Sequence, residues 1–358
     1  MQRNQELNVF EAKAGIVFMD GAADYLKPEW KTDFQLAMDA QPTLVTTSSA
    51  GIPSYLTTYV DAELLRILTS PNKAAKILGE VKKGTWTDTS IAFQVIEQTA
   101  EVSAYGDYNA NGRSGLNVNF PNRQPYHFQT FIEYGDQEAE RAGAEKIGWA
   151  AELKSAAANG IEKYRNLTYF YGVAGLQNYG LLNDPSLPAA LTPATKAATG
   201  TSWITTANVI NATANEVFAD VQALVTKLVT QAGGLIEADS PMVLALSPKS
   251  SMALATTNSF GITARGMIEQ SYPNLRIETA IQYGLQTAQN PQGNAGGELV
   301  QLIATSVEGQ VTGYCSFTEK LRAFPLVRSD SSYRQKFMAG STGAVIRQPF
   351  AISSMLGV

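Results

Sequence analysis

Asp107-x-Asn109-x-Asn111-Gly112 is spaced like the opening of a calcium loop, in which alternating side-chain oxygens converge on one cation. Such a loop closes with a bidentate Glu at its twelfth position, and here the twelfth residue is Val118. The flanking residues also alternate like strands, so the segment reads as a hairpin tip, rich in the Asn, Asp and Gly that tight turns demand. A weak cation site at a contact between subunits is the other reading. His127 is the only histidine and Cys315 the only cysteine, so the usual zinc sets are unavailable. His127 would have to be the base of any Ser–His–acid triad, yet no Gly-x-Ser-x-Gly elbow exists. It reads as a structural residue on the less buried face of a strand, and Cys315 as a packed thiol. The acidic pairs Glu138/Glu140 and Glu97/Glu101 suit solvated faces better than acid–base work. No phosphate-cradling glycine motif follows a strand, and Gly293 to Gly297 form a loop without lysine. No catalytic, metal or cofactor site is expected, and the chain does not read as an enzyme.

The elements around these residues are more informative. Residues 91–105 and 116–133 alternate at period two around the tip, as in Ile91, Phe93 and Val95 or Tyr126, Phe128 and Thr130. Alternation predicts one covered and one exposed face. Pro121 and Pro125 interrupt the return strand, which implies an edge or a bend. A helical pattern follows at once, from Asp136 to about Tyr169, with acidic residues in its first turn and a small apolar stripe. Strands and helix would each reach about 50 Å. An arm and a rod of that length call for neighbouring subunits. Gly143, Gly148 and Gly160 lie within the rod, either for close packing or to let it bend.

Residues 1–58 read as an irregular arm, followed by short helices over 59–68 and 71–78. A compact α/β region comes later. Thr213 to Glu216 form a capping box, and the helix it opens ends at Gly233-Gly234. Residues 242–246 give a buried strand, Ser247-Pro248 starts a short helix to about Ala255, and 263–271 a further one. Strands are expected over 275–283 and 299–307, with a flexible polar loop over 289–297. The rest, from Tyr314, alternates like antiparallel strands.

Composition agrees with a folded chain of about two domains: 358 residues, 44% hydrophobic and 16% charged. The net charge of −5 argues against coating nucleic acid, although Arg322, Arg328, Arg334, Lys336 and Arg347 allow a local basic patch. One cysteine fits a reducing interior. With no apolar run of membrane-spanning length and no apolar signal core, a soluble protein made in the cytoplasm is expected.

The order of pieces resembles a tailed-bacteriophage major capsid protein of the Hong Kong 97 type, over the whole chain. Glu133-Tyr-Gly-Asp-Gln-Glu-Ala-Glu-Arg-Ala-Gly143 and Gly172-Val-Ala-Gly-Leu-Gln-Asn-Tyr-Gly-Leu-Leu-Asn-Asp-Pro185 look like one subgroup of these proteins. The resemblance implies an α+β fold with an N-terminal arm (1–58) and the first part of a peripheral domain (59–85). An extended two-stranded loop (86–135) and a spine helix with more peripheral domain (136–200) would follow. An α/β axial domain (201–307) and C-terminal peripheral strands (308–358) would complete it.

It further implies hexamers and pentamers tiling an icosahedral shell around double-stranded DNA, in the virion, assembled in the host bacterial cytoplasm. By position, Asp107, Asn109, Asn111 and Arg113 would be the intersubunit tip, and Asn290, Gln292 and Asn294 a candidate axial loop. Nothing long and charged precedes Phe10, so either a separate scaffolding protein is used or the chain is in mature form. A portal and a decoration protein are further implied partners, and DNA would be packaged without sequence-specific binding or a membrane. The Lys, Asn and acid of crosslinking members have no match here, so no crosslink is claimed. The alternative is an encapsulin-like cellular nanocompartment shell protein holding a cargo enzyme.

Overall fold

A computed structural model describes residues 72–144 and 148–358. The arm expected over 1–58, the helix over 59–68 and the start of the one over 71–78 lie outside the described residues. The first elements are α1 (Ala74–Leu78) and β1 (Glu80–Lys82). The hairpin region resolves into β2 (Ile91–Ala92), β3 (Val95–Ala100), β4 (Ser114–Asn119) and β5 (Asn122–Arg123), and β6 (Tyr126–Gly135) leads to the helices. The two long strands expected are thus broken pieces, with the return side interrupted at Pro121 and Pro125, which have no N–H to donate. Register nevertheless stays constant from Ile91↔Arg123 through Val95↔Asn119 to Ala100↔Ser114. The Phe93 N–H bonds the Pro121 carbonyl (3.0 Å) and the Glu101 N–H the Arg113 carbonyl (2.8 Å) across the gaps.

The rod is not one helix. It comprises α2 (Asp136–Ala144) and α3 (Trp149–Tyr171), and Gly148 precedes α3 with a non-helical ψ of 67°. A Cβ added at Gly143 or Gly160 would meet nothing within 4 Å among the described residues, so neither glycine is packed closely against them. The non-helical ψ at Gly148 interrupts the single rod expected. At about 35 Å, α3 is shorter than the single rod expected.

The elements of the α/β region follow the sequence closely. α4 (Ala214–Gln231) carries the full capping box, with Thr213 Oγ1 accepting from the Glu216 N–H and Glu216 Oε2 from the Thr213 N–H. β7 (Met242–Leu246) is wholly buried, α5 (Pro248–Ala253) starts at Ser247, α6 (Ala264–Ser271) at Thr263, and β8 (Leu275–Thr279) and β9 (Leu299–Ala304) complete the region. Met242, Leu244 and Leu246 pack with Val217, Val221, Leu224 and Leu228 of α4. Val243 and Ala245 point the other way, toward Phe170, Leu181 and Cys315. A sheet buried on both faces explains the unbroken apolar run of β7. Inside the larger core, Lys196 is paired with Asp220, which also accepts from Trp203 Nε1 (2.6 Å). This pair fastens the segment before α4 onto that helix.

The chain then makes β10 (Ser306–Val307) and β11 (Gln310–Val311), a small hairpin, before β12 (Gly313–Ala323), β13 (Val327–Ser329), β14 (Ser332–Ile346) and β15 (Ile352–Leu356). One sheet runs β1-β12-β14-β13, with β6 on the other side of β14; the second runs β15-β9-β7-β8. The expectation that everything after Glu308 joins the strands along the spine fails for β15. Its residues pair with β9, from Ile352↔Ile303 to Leu356↔Leu299, and put Met355 into the core around α4 and β7.

The helix α3 lies on the long sheet, where Ala157 and Ile161 meet Ile132, Phe337 and Ala339. Its C-terminal half is bonded on several sides. Asn166 Oδ1 caps α1 by accepting the Lys73 and Ala74 N–H groups (3.1 Å each). Glu80 of β1 accepts from Tyr169 Oη (2.8 Å) and sits beside Lys320 (2.5 Å) and Arg165 (3.4 Å). Burial alone would raise the Glu80 pKa, but the bonds from Lys320 and Tyr169 and the charge of Arg165 hold it below the ordinary value. Cys315 is fully buried on β12, and burial pushes its thiol far up. His127 rests against Thr318 Oγ1 (3.3 Å) between strands.

Candidate interaction surface

The register of the hairpin sorts its side chains. Residues directly opposite share a face, and alternate residues along a strand return to it. Ile96 opposes Val118, and Gln98 opposes Leu116, with Phe120 two residues beyond Val118. Ile96, Leu116, Val118 and Phe120 therefore form one apolar row. The other face is mainly polar: Glu97 opposes Asn117 and accepts its side-chain N–H (3.3 Å), and Asn119 opposes Val95. The apolar row is uncovered, with exposures of 50%, 56%, 43% and 57% in the order just given. The covered face that alternation predicts is thus absent within the described residues. An apolar row of this kind marks an interaction site.

The tip is a set of self-bonded turns. Tyr105 Oη donates to Asp107 Oδ1 (2.8 Å), Asn109 Nδ2 to the Ala104 carbonyl (3.0 Å), and the Asn111 N–H to Asn109 Oδ1 (3.1 Å). Arg113 lends its carbonyl to the Glu101 N–H. Asp107, Asn109, Asn111 and Arg113 are all exposed, as are Val102, Tyr105 and Tyr108. No cluster of three His, Cys, Asp or Glu that could hold a metal exists among the described residues. The three aromatic and aliphatic side chains at the tip are what the reading of Asn and Gly as turn formers missed.

Asn290, Gln292 and Asn294 do not form a free surface loop. Tyr171 Oη, at the end of α3, donates to the Gln292 carbonyl (2.9 Å), and Gln282 Nε2 donates to Gln292 Oε1 (3.2 Å). Asn290 Nδ2 donates to the Ile281 carbonyl (2.8 Å), and the Asn294 N–H to that of Gly284 (2.7 Å). The loop expected to be flexible is folded back on itself and on the spine, because its amides are used up on backbone carbonyls. A more outward segment lies between α5 and α6. There Asn258 Oδ1 accepts from the Phe260 and Ile262 N–H groups (2.9 and 3.0 Å) and holds Phe260 out in solvent.

A second surface lies on the long sheet, on the face away from α3. Cations and rings alternate across it: Arg322 sits over Trp86 (4.6 Å) and near Phe324 (5.9 Å), Lys336 over Phe324 (5.7 Å) and Phe131 (5.5 Å), and Arg334 over Phe131 (4.4 Å). The basic residues noticed in the sequence are brought together here, apart from Arg347; Arg328 pairs with Asp136 (3.7 Å). Arg322, Arg334 and Lys336 have no carboxylate within ion-pair distance among the described residues. Among those residues, too, no helix is long and apolar enough to cross a membrane.

Comparison with known proteins agrees with this architecture. The family model described as Pa193 gp26 major capsid protein matches residues 43–357. Among solved structures, the capsid of Myoviridae phage XM1 is similar with a TM-score of 0.68 at 12% identity, covering 87% of this chain and 100% of that one. The capsid of the native GTA particle gives 0.57 at 9%, over 87% and 98%. Mycobacterium phage Ogopogo gives 0.53 at 11%, over 87% and 100%. At such identities the likeness is one of fold. No curated protein matches the chain.

Proposed function

The chain belongs to the Pa193 gp26 major capsid protein family, and from that premise we propose that it assembles as hexamers and pentamers into an icosahedral shell enclosing the double-stranded DNA of a tailed bacteriophage. Its place is then the virion, as the capsid shell, after assembly in the host cytoplasm. A separate scaffolding protein, a portal and a decoration protein would be its partners. The observation that carries this reading is the uncovered row of Ile96, Leu116, Val118 and Phe120 on a hairpin that the described residues of its own chain leave bare. Burying a large apolar side chain is worth about 1.5–3 kcal/mol, so each subunit gains by laying its hairpin on the next.

Head-to-tail contacts of this kind use two different patches on one chain and close into rings. The alternating cations and rings around Phe131 and Phe324 are the second patch we propose. Their charge is opposite to that of Asp107 at the hairpin tip, and their rings offer apolar area to its bare row. Asp107, Asn109, Asn111 and Arg113 would make the outermost contact. Axial contacts would fall to exposed Phe260 in place of Asn290, Gln292 and Asn294. Sedimentation of the purified chain tests the reading. Rings or closed particles are expected as concentration rises, and a monomer at every concentration and salt would refute it.

A further inference from the structure

Among the described residues the hairpin is held to the body at two points, each with an arginine packed on a ring. On the return strand Arg123 donates to Asp184 Oδ2 (2.7 Å) and lies over the Tyr179 ring (4.6 Å). Asp184 is buried, its side chain 1% exposed, and its other oxygen accepts from the Ser186 N–H (3.0 Å) and Oγ (2.6 Å). Next to it the Gln124 N–H bonds the Gln177 carbonyl (3.0 Å), the Gln177 N–H bonds Gln124 Oε1 (3.2 Å), and Asn178 Nδ2 bonds the Gln124 carbonyl (3.1 Å). On the outgoing side Trp86 is clamped under Arg322 (4.6 Å). Between these points and the tip, β2 to β5 bond only to one another among the described residues.

We propose that Arg123, with Asp184 and Tyr179, is a positioning clamp that fixes the angle of the hairpin to the body, with the Trp86–Arg322 stack as its second stake. This rests on the reading of the hairpin as an arm between subunits. Eleven residues from Arg123 to the tip span about 37 Å. By that lever a tilt of about 10° at the root moves the tip by roughly 6 Å, more than the width of one strand spacing. The planar guanidinium suits this role, because it bonds a carboxylate in a fixed plane while stacking on an aromatic face, which a lysine cannot do. A buried pair of this kind adds little net stability over apolar groups of the same volume, so its consequence is geometric.

Distance measurement between two spin labels, at Tyr108→Cys on the tip and Gln270→Cys on α6, tests the clamp in the full-length, unassembled chain. With the clamp intact one narrow distance distribution is expected. Arg123→Met should broaden it at least twofold, Asp184→Asn should do likewise, and Arg123→Lys should fall between. Trp86→Ala should broaden it less. If Arg123→Met and Asp184→Asn both keep the original width in a folded chain, the clamp is wrong. If either variant fails to fold, the Arg123→Lys width decides by the same criterion. Because the measurement precedes assembly, a wild-type width counts against the clamp alone, whereas monomeric wild-type chain in sedimentation counts against the arm itself.

Discussion

Leu116→Asp combined with Val118→Asp is expected to leave a folded subunit that no longer assembles. Both side chains are more than two-fifths exposed in the single chain, and substitutions at such surface positions usually change stability by less than about 0.5 kcal/mol. The melting temperature should therefore stay within about 2 °C of the wild type. At an interface the same change removes roughly 3–6 kcal/mol of apolar burial per subunit. It also asks two carboxylates to leave water, which neither can do without a partner. Sedimentation should show only small species at concentrations where the wild type forms particles. The conservative pair Leu116→Met and Val118→Ile should assemble normally. Normal particles from the double aspartate would remove the hairpin row from the interface.

Gly180→Ala is expected to be strongly destabilising, and Gly160→Ala to be mildly stabilising. The chemical change is the same. At Gly180 a Cβ would lie 2.2 Å from the backbone carbon and oxygen of Phe170, in the knot where the chain turns back on the end of α3. Backbone cannot step aside, so overpacking of about 3 kcal/mol or more is expected, against a total stability of roughly 5–15 kcal/mol. Gly343→Ala should behave alike: its φ is +76° and its Cβ would meet the Tyr179 carbonyl oxygen at 2.2 Å. At Gly160, inside α3, nothing lies within 4 Å, and Ala is about 1 kcal/mol better than Gly in a helix. Thermal unfolding of the unassembled variants reads both signs. A Gly180→Ala subunit as stable as wild type would mean that the knot is not packed as described.

These glycines also mark what the sequence can and cannot say. Capping is legible because it is local: Thr213 and Glu216 are three residues apart and satisfy each other. β7 is legible because a run of five apolar residues between turn formers leaves little choice. The break at Gly148 is not, since a glycine costs only about 1 kcal/mol and the small apolar stripe continues past it. Asn290, Gln292 and Asn294 look like surface polar residues by type. Their role depends on carbonyls of Ile281 and Gly284 that no pattern in the segment reveals.

For the interaction surface the reason is different. Alternation implies a covered face on the hairpin, and the side chains do sort that way; the cover is simply not supplied by the described residues of its own chain. Arg123 and Asp184 meet across 61 positions, and the cations of the long sheet meet rings on three other segments. Only the register of β6, β12 and β14 brings Phe131, Phe324, Lys336 and Arg334 side by side.

Cryo-electron microscopy of particles assembled from the purified chain bears most directly on the claim that the hairpin is the arm joining subunits. Closed shells of rings are expected, in which Ile96, Leu116, Val118 and Phe120 are buried against a neighbouring copy, with Phe131, Phe324, Arg334 and Lys336 of that copy in contact. Shells in which the four hairpin residues still face solvent would contradict it.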